Sequence, residues 1–213
     1  HGFDYYFGIP YSNDMQSARR GDPPLPLVKQ AAVIEAPADQ TTLTRRYTEQ
    51  VISFIENNQA TPFFVYLPHT FPHLPLFASP DFHGKSANGR YGDAIEEIDW
   101  STGQILDCLD RLELTENTLV IFTSDNGSNG RNGGSNQPLS GAKGSTMEGG
   151  MRVPMIARWP GRIAAGSTCR ELATTMDLLP TFCSLTGAPL PPKELDGFDI
   201  SGMLFGYEGV QSQ

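Results

Sequence analysis

Apolar residues recur every three or four positions through Leu43, Tyr47, Val51, Phe54 and Ile55. That spacing puts them on one face and predicts a helix over 41–58. Thr41 or Thr42 can cap its start, and Pro62 lies just past its end. A second stripe, Tyr91, Ile95, Ile98, Ile105, Leu109 and Leu112, predicts a longer helix of about six turns. A third helix is expected from Asp177 to Thr186, with Asp177 as cap, Pro180 in the first turn and Gly187 as the stop. Between these periodic segments lie short runs that are apolar at nearly every position: FFVYL at 63–67, TLVIFT at 118–123 and VPMIARW at 153–159. Such runs predict buried strands. Residues 1–40 have no sustained period and offer only VIEA at 33–36 as a strand.

Helices alternating with buried strands and polar loops are the rhythm of an α/β protein. In such folds ligands collect beyond the carboxyl ends of the strands. His73 follows one predicted strand, and Asp125-Asn126 follows another. The 24 positions from 127 to 150 hold eight glycines and Lys143. A loop of that length is usually functional or disordered.

Composition narrows the classes. The 213 residues include 22 Gly and 17 Pro, and only 18 % are charged, which argues against a coiled coil or helical bundle. A net charge of −9 and a pI near 4.8 oppose nonspecific binding to nucleic acid. No window supplies the ~18 to 20 consecutive apolar residues of a membrane span. Cys108, Cys169 and Cys183 are odd in number and lack CxxC spacing, so buried free thiols are expected rather than a disulfide framework. The chain opens at His1 rather than Met and shows no charged-then-apolar leader, so processing or truncation before His1 is expected.

Four candidates carry chemistry. Asp125-Asn126 offers a carboxylate and an amide oxygen, donors that suit a hard cation, although Asp-Asn-Gly is also a good turn. His73, in Pro72-His73-Leu74-Pro75, is either a catalytic or anion-binding imidazole or a packed loop histidine, and His69 shares the ambiguity. Lys143, among small neighbours in Gly141-Ala142-Lys143-Gly144-Ser145, can meet an anion or remain an exposed lysine. Its register is not that of a nucleotide-binding P-loop. Ser12 in GIPYSND lacks the nucleophile elbow and reads otherwise as a turn serine.

In order and spacing, GFDYYFGIPYSND, FFVYLPHTFPHLP, NTLVIFTSDNG, GAKGSTMEGGMRVPMIARWPG, DLLPTFCSLTGAPLP and LDGFDISGML closely resemble the sulfatase family, its arylsulfatase A-like branch above all. The resemblance covers nearly the whole chain and implies part of a large mixed sheet flanked by helices, as in the alkaline phosphatase superfamily. It implies that Asp125 and Asn126 are the second pair of ligands of an active-site Ca²⁺ or Mg²⁺. His73 would contact the sulfate ester near its leaving oxygen, Lys143 would bind the sulfate group, and Ser12 would lie near it. Glu148 and Arg152 are read as a structural pair. The implied substrate is a small sulfate ester.

The chain departs from the family pattern. The family's nucleophile is a formylglycine made from Cys or Ser in Cys/Ser-x-Pro-x-Arg, and neither form occurs here. The first acidic pair of metal ligands is absent too. The resemblance therefore implies that 1–188 is a partial catalytic domain lacking its N-terminal part. Residues 189–213 would lead toward a further subdomain. Three functions follow: a fragment or truncated form of a sulfuric ester hydrolase, inactive alone and with that N-terminal part as a candidate partner; a phosphodiesterase or phosphonate hydrolase of the same superfamily; or a non-catalytic binding module. Four histidines without zinc spacing favour the first over the second. Family habit implies a periplasmic or secreted location. The single sequon, Asn126-Gly127-Ser128, falls on the expected metal ligand.

Overall fold

The computed structural model describes residues 2–15 and 21–206. They fall into two compact units, one from the described part of 1–114 together with 128–136, the other from 115–127 together with the described part of 137–213. His1 and the last seven residues of the 189–213 stretch lie outside the described residues.

In the first unit β1 (Phe7–Gly8), β2 (Leu27–Lys29) and β3 (Ala32–Glu35) form a small antiparallel sheet in the order β1-β2-β3. The helices α1 (Leu43–Asn58) and α2 (Gly89–Arg111) pack on one another. Leu27, Ala38, Leu43, Tyr47, Phe71, Ala94 and Ile98 form the core, with Phe7, Ile9, Leu67, Leu76 and Phe77 against it. Complete burial of Leu27 and Leu43 contributes about 2 kcal/mol each.

The expected helix over 41–58 is present, but its start differs. Asp39, not a threonine, caps a 3-10 turn over Gln40–Thr42 by accepting from the Thr41 N–H, and α1 continues from it. The Asp39 carboxylate reaches an unsatisfied N–H at the helix end, while the Thr42 hydroxyl bonds back to the Asp39 carbonyl. On α2 the buried stripe is more polar than the apolar period indicates. Asp93, Glu97 and Ser101 are buried, whereas Ile95 is 40 % exposed. Each of these polar groups has a partner: Asp93 accepts from the N–H groups of Gly84, Lys85 and Ser86, Glu97 from Ser79, and Ser101 meets Thr48.

In the second unit β4 (Val120–Thr123) pairs antiparallel with β5 (Met155–Arg158). A short helix α3 (Glu148–Met151) precedes β5, and α4 (Leu178–Thr186) and α5 (Ser201–Leu204) follow it. α4 ends at Gly187, whose φ of 74° is the left-handed cap expected there. Asp177 sits in a 3-10 turn and closes a capping box with Thr174. From Gly197 the chain packs on α4: Phe198 N–H donates to Asp177, and Ile200 N–H to Thr181. A Cβ on Gly197 would lie 2.1 Å from the Met176 carbonyl oxygen, so only glycine fits there.

The buried strands need correction. The strand expected at FFVYL does not form: the segment has no regular secondary structure and belongs to neither described sheet, and Tyr66 is 68 % exposed. β4 and β5 exist, yet Phe122, Met155 and Ile156 are exposed. An unbroken apolar run reports the cover a strand is suited to. Burial itself requires neighbours on both faces, and β4 and β5 pair only with each other among the described residues. Helices with small sheets are consistent with part of an α/β domain.

Candidate active site

In the first unit one hollow of about 230 Å³ is lined by Ile9, Ser12, Asn13, His69, Thr70 and His73, among others. Two separate segments build it. Met15 N–H donates to the Ser12 carbonyl and closes the 12–15 turn. Phe71 is buried and Phe77 half-buried, with ring centroids 6.1 Å apart, and they pin the ends of the loop that carries His73. Ser12 and His73, distant in sequence, thus share one wall. Ser12 Oγ donates to Asp14 at 2.6 Å.

The two histidines of the hollow differ. His69 is largely buried, with no partner for Nδ1, and burial lowers its pKa to about 4. It is therefore neutral at ordinary pH and cannot serve as a cationic donor. His73 is exposed, and its Nδ1 lies 2.7 Å from the Leu74 carbonyl oxygen and 3.4 Å from Asn13 Oδ1. Asn13 is buried, donating to Gln40 Oε1 at 2.9 Å and to the Pro75 carbonyl at 3.1 Å. Sequence reading passed over Asn13 and Gln40, because polar residues in an aperiodic segment carry no signal of burial.

The second unit holds Asp125, Asn126 and Lys143. Asp125 and Asn126 follow the carboxyl end of β4 after one residue, Ser124. Gly127 N–H donates to the Gly150 carbonyl at 3.0 Å, and Gly149 N–H to the Ser140 carbonyl at 2.7 Å. Ser145 N–H donates to the Ala142 carbonyl, making the tight turn that displays Lys143. Added Cβ atoms at Gly149 and Gly150 would each come within 2.4 Å of a carbonyl oxygen in 141–145. The pair of glycines is what lets the Lys143 loop lie on α3, and it went unrecognised in the sequence as a site element. Arg152 pairs with Glu148 at 3.2 Å, but both are exposed, so the bridge adds little stability.

Asp125 and Lys143 are exposed, and neither enters an ion pair among the described residues. A carboxylate and an amide oxygen side by side fit the donor preference of Ca²⁺ or Mg²⁺. Two donors would make only part of a shell, and among the described residues no group of three His, Cys, Asp or Glu could hold a metal. A larger hollow of about 590 Å³ at α4, lined by Cys183, Leu190 and Phe198, contains none of the candidate residues. No helix among the described residues is long and apolar enough to cross a membrane.

Residues 1–188 match the family model described as Sulfatase. The chain is similar to human steryl-sulfatase, 44 % identical over 189 residues that cover 84 % of this chain and 32 % of that protein. It is 42 % identical to N-acetylgalactosamine-6-sulfatase of Canis lupus familiaris over 222 residues, covering 97 % of this chain and 42 % of the relative. The chain thus spans about a third to two-fifths of the length of these relatives. Among solved structures, the PsFucS1 sulfatase from Pseudoalteromonas sp. superposes with a TM-score of 0.88 at 29 % identity, covering all of this chain and 49 % of that one.

Proposed function

The chain belongs to the sulfatase family, and on that premise we propose that it carries part of the active site of a sulfuric ester hydrolase acting on a small sulfate monoester. The observation that carries this reading is the hollow on which Ser12 and His73 meet.

Cleavage of a sulfate ester leaves negative charge on the alcohol oxygen as the S–O bond breaks. A protonated His73 donates its proton there, which removes the cost of expelling an alkoxide. Lys143, presented on its glycine-supported turn, is the cation proposed for sulfate oxygens. Ser12, in the hollow with His73, is a hydroxyl proposed to meet the ester. Asp125 and Asn126 would be two oxygen ligands of a divalent cation, whose chemistry is to draw negative charge away from an anionic ester. Cys/Ser-x-Pro-x-Arg, the source of the family's nucleophile, does not occur within these 213 residues. By themselves, then, they hydrolyse no sulfate ester. By family habit the protein works outside the cytoplasm.

The test is hydrolysis of an aryl sulfate by the full gene product beside the 213-residue chain. Expected are turnover by a product that contains the motif, its loss in His73→Ala and Asp125→Ala, and none from the 213 residues alone. Preference for a phosphodiester would favour the phosphodiesterase alternative. Turnover by the 213 residues, abolished by Asp125→Ala, would overturn the inactivity. The exposure of Asp125 and Lys143 also favours a binding-only role for the 213 residues alone, which calorimetry with sulfate and Ca²⁺ decides.

A further inference from the structure

We infer that Asn13, held by Gln40, is the positioning residue that fixes the proton of neutral His73 on Nδ1 and presents Nε2 to the ligand. The inference rests on the reading of His73 as the group that meets the ester oxygen.

The orientation of the Asn13 amide follows from its neighbours. The Pro75 carbonyl oxygen can only accept, so the Asn13 atom 3.1 Å from it is the amide nitrogen. That nitrogen also lies 2.9 Å from Gln40 Oε1, and Gln40 Nε2 in turn faces the Asn13 carbonyl at 3.5 Å. With its nitrogen committed twice, the other end of the amide facing His73 is Oδ1, an acceptor. Nδ1 of His73 is therefore flanked by two acceptors, the Leu74 carbonyl at 2.7 Å and Asn13 Oδ1 at 3.4 Å. A ring nitrogen without a proton in that position would set three lone pairs against one another. Nδ1 must carry the hydrogen, which leaves Nε2 as the lone-pair nitrogen of the neutral ring and as the second donor of the cation.

Burial makes the arrangement rigid. Asn13 is 1 % and Gln40 5 % exposed, while His73 itself is exposed. Two buried amides thus hold an exposed imidazole from behind. Asn13 also grips Pro75, two residues beyond His73, so one side chain sets both the course of the loop and the ring it carries. Removing Asn13 leaves Gln40 Oε1 and the Pro75 carbonyl without their donor.

The test is the ¹⁵N spectrum of the imidazoles in the 213-residue chain, labelled at histidine, at a pH where the rings are neutral. His73→Gln identifies the resonance. Expected is a protonated Nδ1 and an unprotonated Nε2 in the unsubstituted chain. Asn13→Leu should shift the population toward Nε2–H. Predominant Nε2–H in the unsubstituted chain overturns the proposal, and needs no variant to fold. So does an unchanged tautomer in a folded Asn13→Leu chain, which would assign the ring to Leu74 alone. Turnover is not the readout, so failure of the sulfatase reading and failure of this proposal are separate results.

Discussion

Gly127 donates its backbone N–H to the carbonyl of Gly150 at 3.0 Å. This bond ties the segment carrying Asp125 and Asn126 to α3, on which the Lys143 turn also rests. Metal-ligand candidates and anion-binding candidate are held by one element of four residues.

Gly150→Ala should therefore disturb both. Its Cβ would meet Ser145 O at 2.4 Å and Ala142 O at 2.6 Å, both backbone atoms that cannot rotate away. A loss of about 1–3 kcal/mol is expected in urea unfolding. Faster hydrogen exchange is expected at Gly127 and Ser145. Unchanged stability and exchange would show that the 140–145 loop does not depend on the close approach.

His69 gives the fold an acid sensitivity. Its folded pKa is about 4, below the roughly 6.5 of an unfolded histidine, because burial penalises the cation. Below 6.5 the unfolded chain takes up a proton that the folded chain refuses. Stability therefore falls as pH drops from about 6.5 to 4, by about 3 kcal/mol in total, and this contribution is flat above and below that window. Denaturant midpoints across the range should fall more steeply in the unsubstituted chain than in His69→Gln. Parallel profiles would rule the effect out.

Asp93 works in the opposite direction. The N–H groups of Ser86 and Gly84, then Lys85, hold its carboxyl below the usual carboxylate range. Its contribution is present above the unfolded value near 3.9 and is lost as pH falls toward the folded one. Asp93→Ala leaves the N–H groups of Gly84, Lys85 and Ser86 without their acceptor and should cost about 2 kcal/mol at pH 7. Asp93→Asn, which keeps one oxygen, should cost less. Equal stability of all three chains at neutral pH would be the contrary result.

Calcium should bind weakly, with a Kd of ~1 mM or above, because Asp125 and Asn126 fill only part of a shell of six to eight oxygens. Calorimetry should show that weak heat vanish in Asp125→Ala. Micromolar affinity would mean that ligands other than this pair complete the site.

The helices were legible because a 3.6-residue period survives into the folded chain: Leu43, Tyr47 and Ile55 are buried on α1 as spaced. Two of the three apolar runs were legible as strands, β4 and β5, while FFVYL is not a strand, and burial was not legible, since what would cover Phe122 or Ile156 is not written in either run. Of the site, Ser12 and His73 were singled out from local sequence, and the structure brings them to one hollow. Asn13 was not, because its importance lies in bonds to Gln40 and Pro75, far along the chain. Asp125, Asn126 and Lys143 were read correctly as loop residues. The glycines that order those loops matter through what they lack, which no side-chain pattern reveals.

The seam between α1 and α2 has a last consequence. Thr48 Oγ1 donates to the Thr44 carbonyl at 2.7 Å, so the 2.6 Å contact with Ser101 must be donated by Ser101. Both hydroxyls are buried. If one helix slid a turn along the other, apolar contacts could re-form, but Ser101 would face carbon, at about 1–3 kcal/mol. A seam of leucines alone would tolerate such slippage. This one works as a vernier: a single polar mark that lines up two otherwise forgiving surfaces, and with them the 68–77 loop whose Phe71 is seated in the same core.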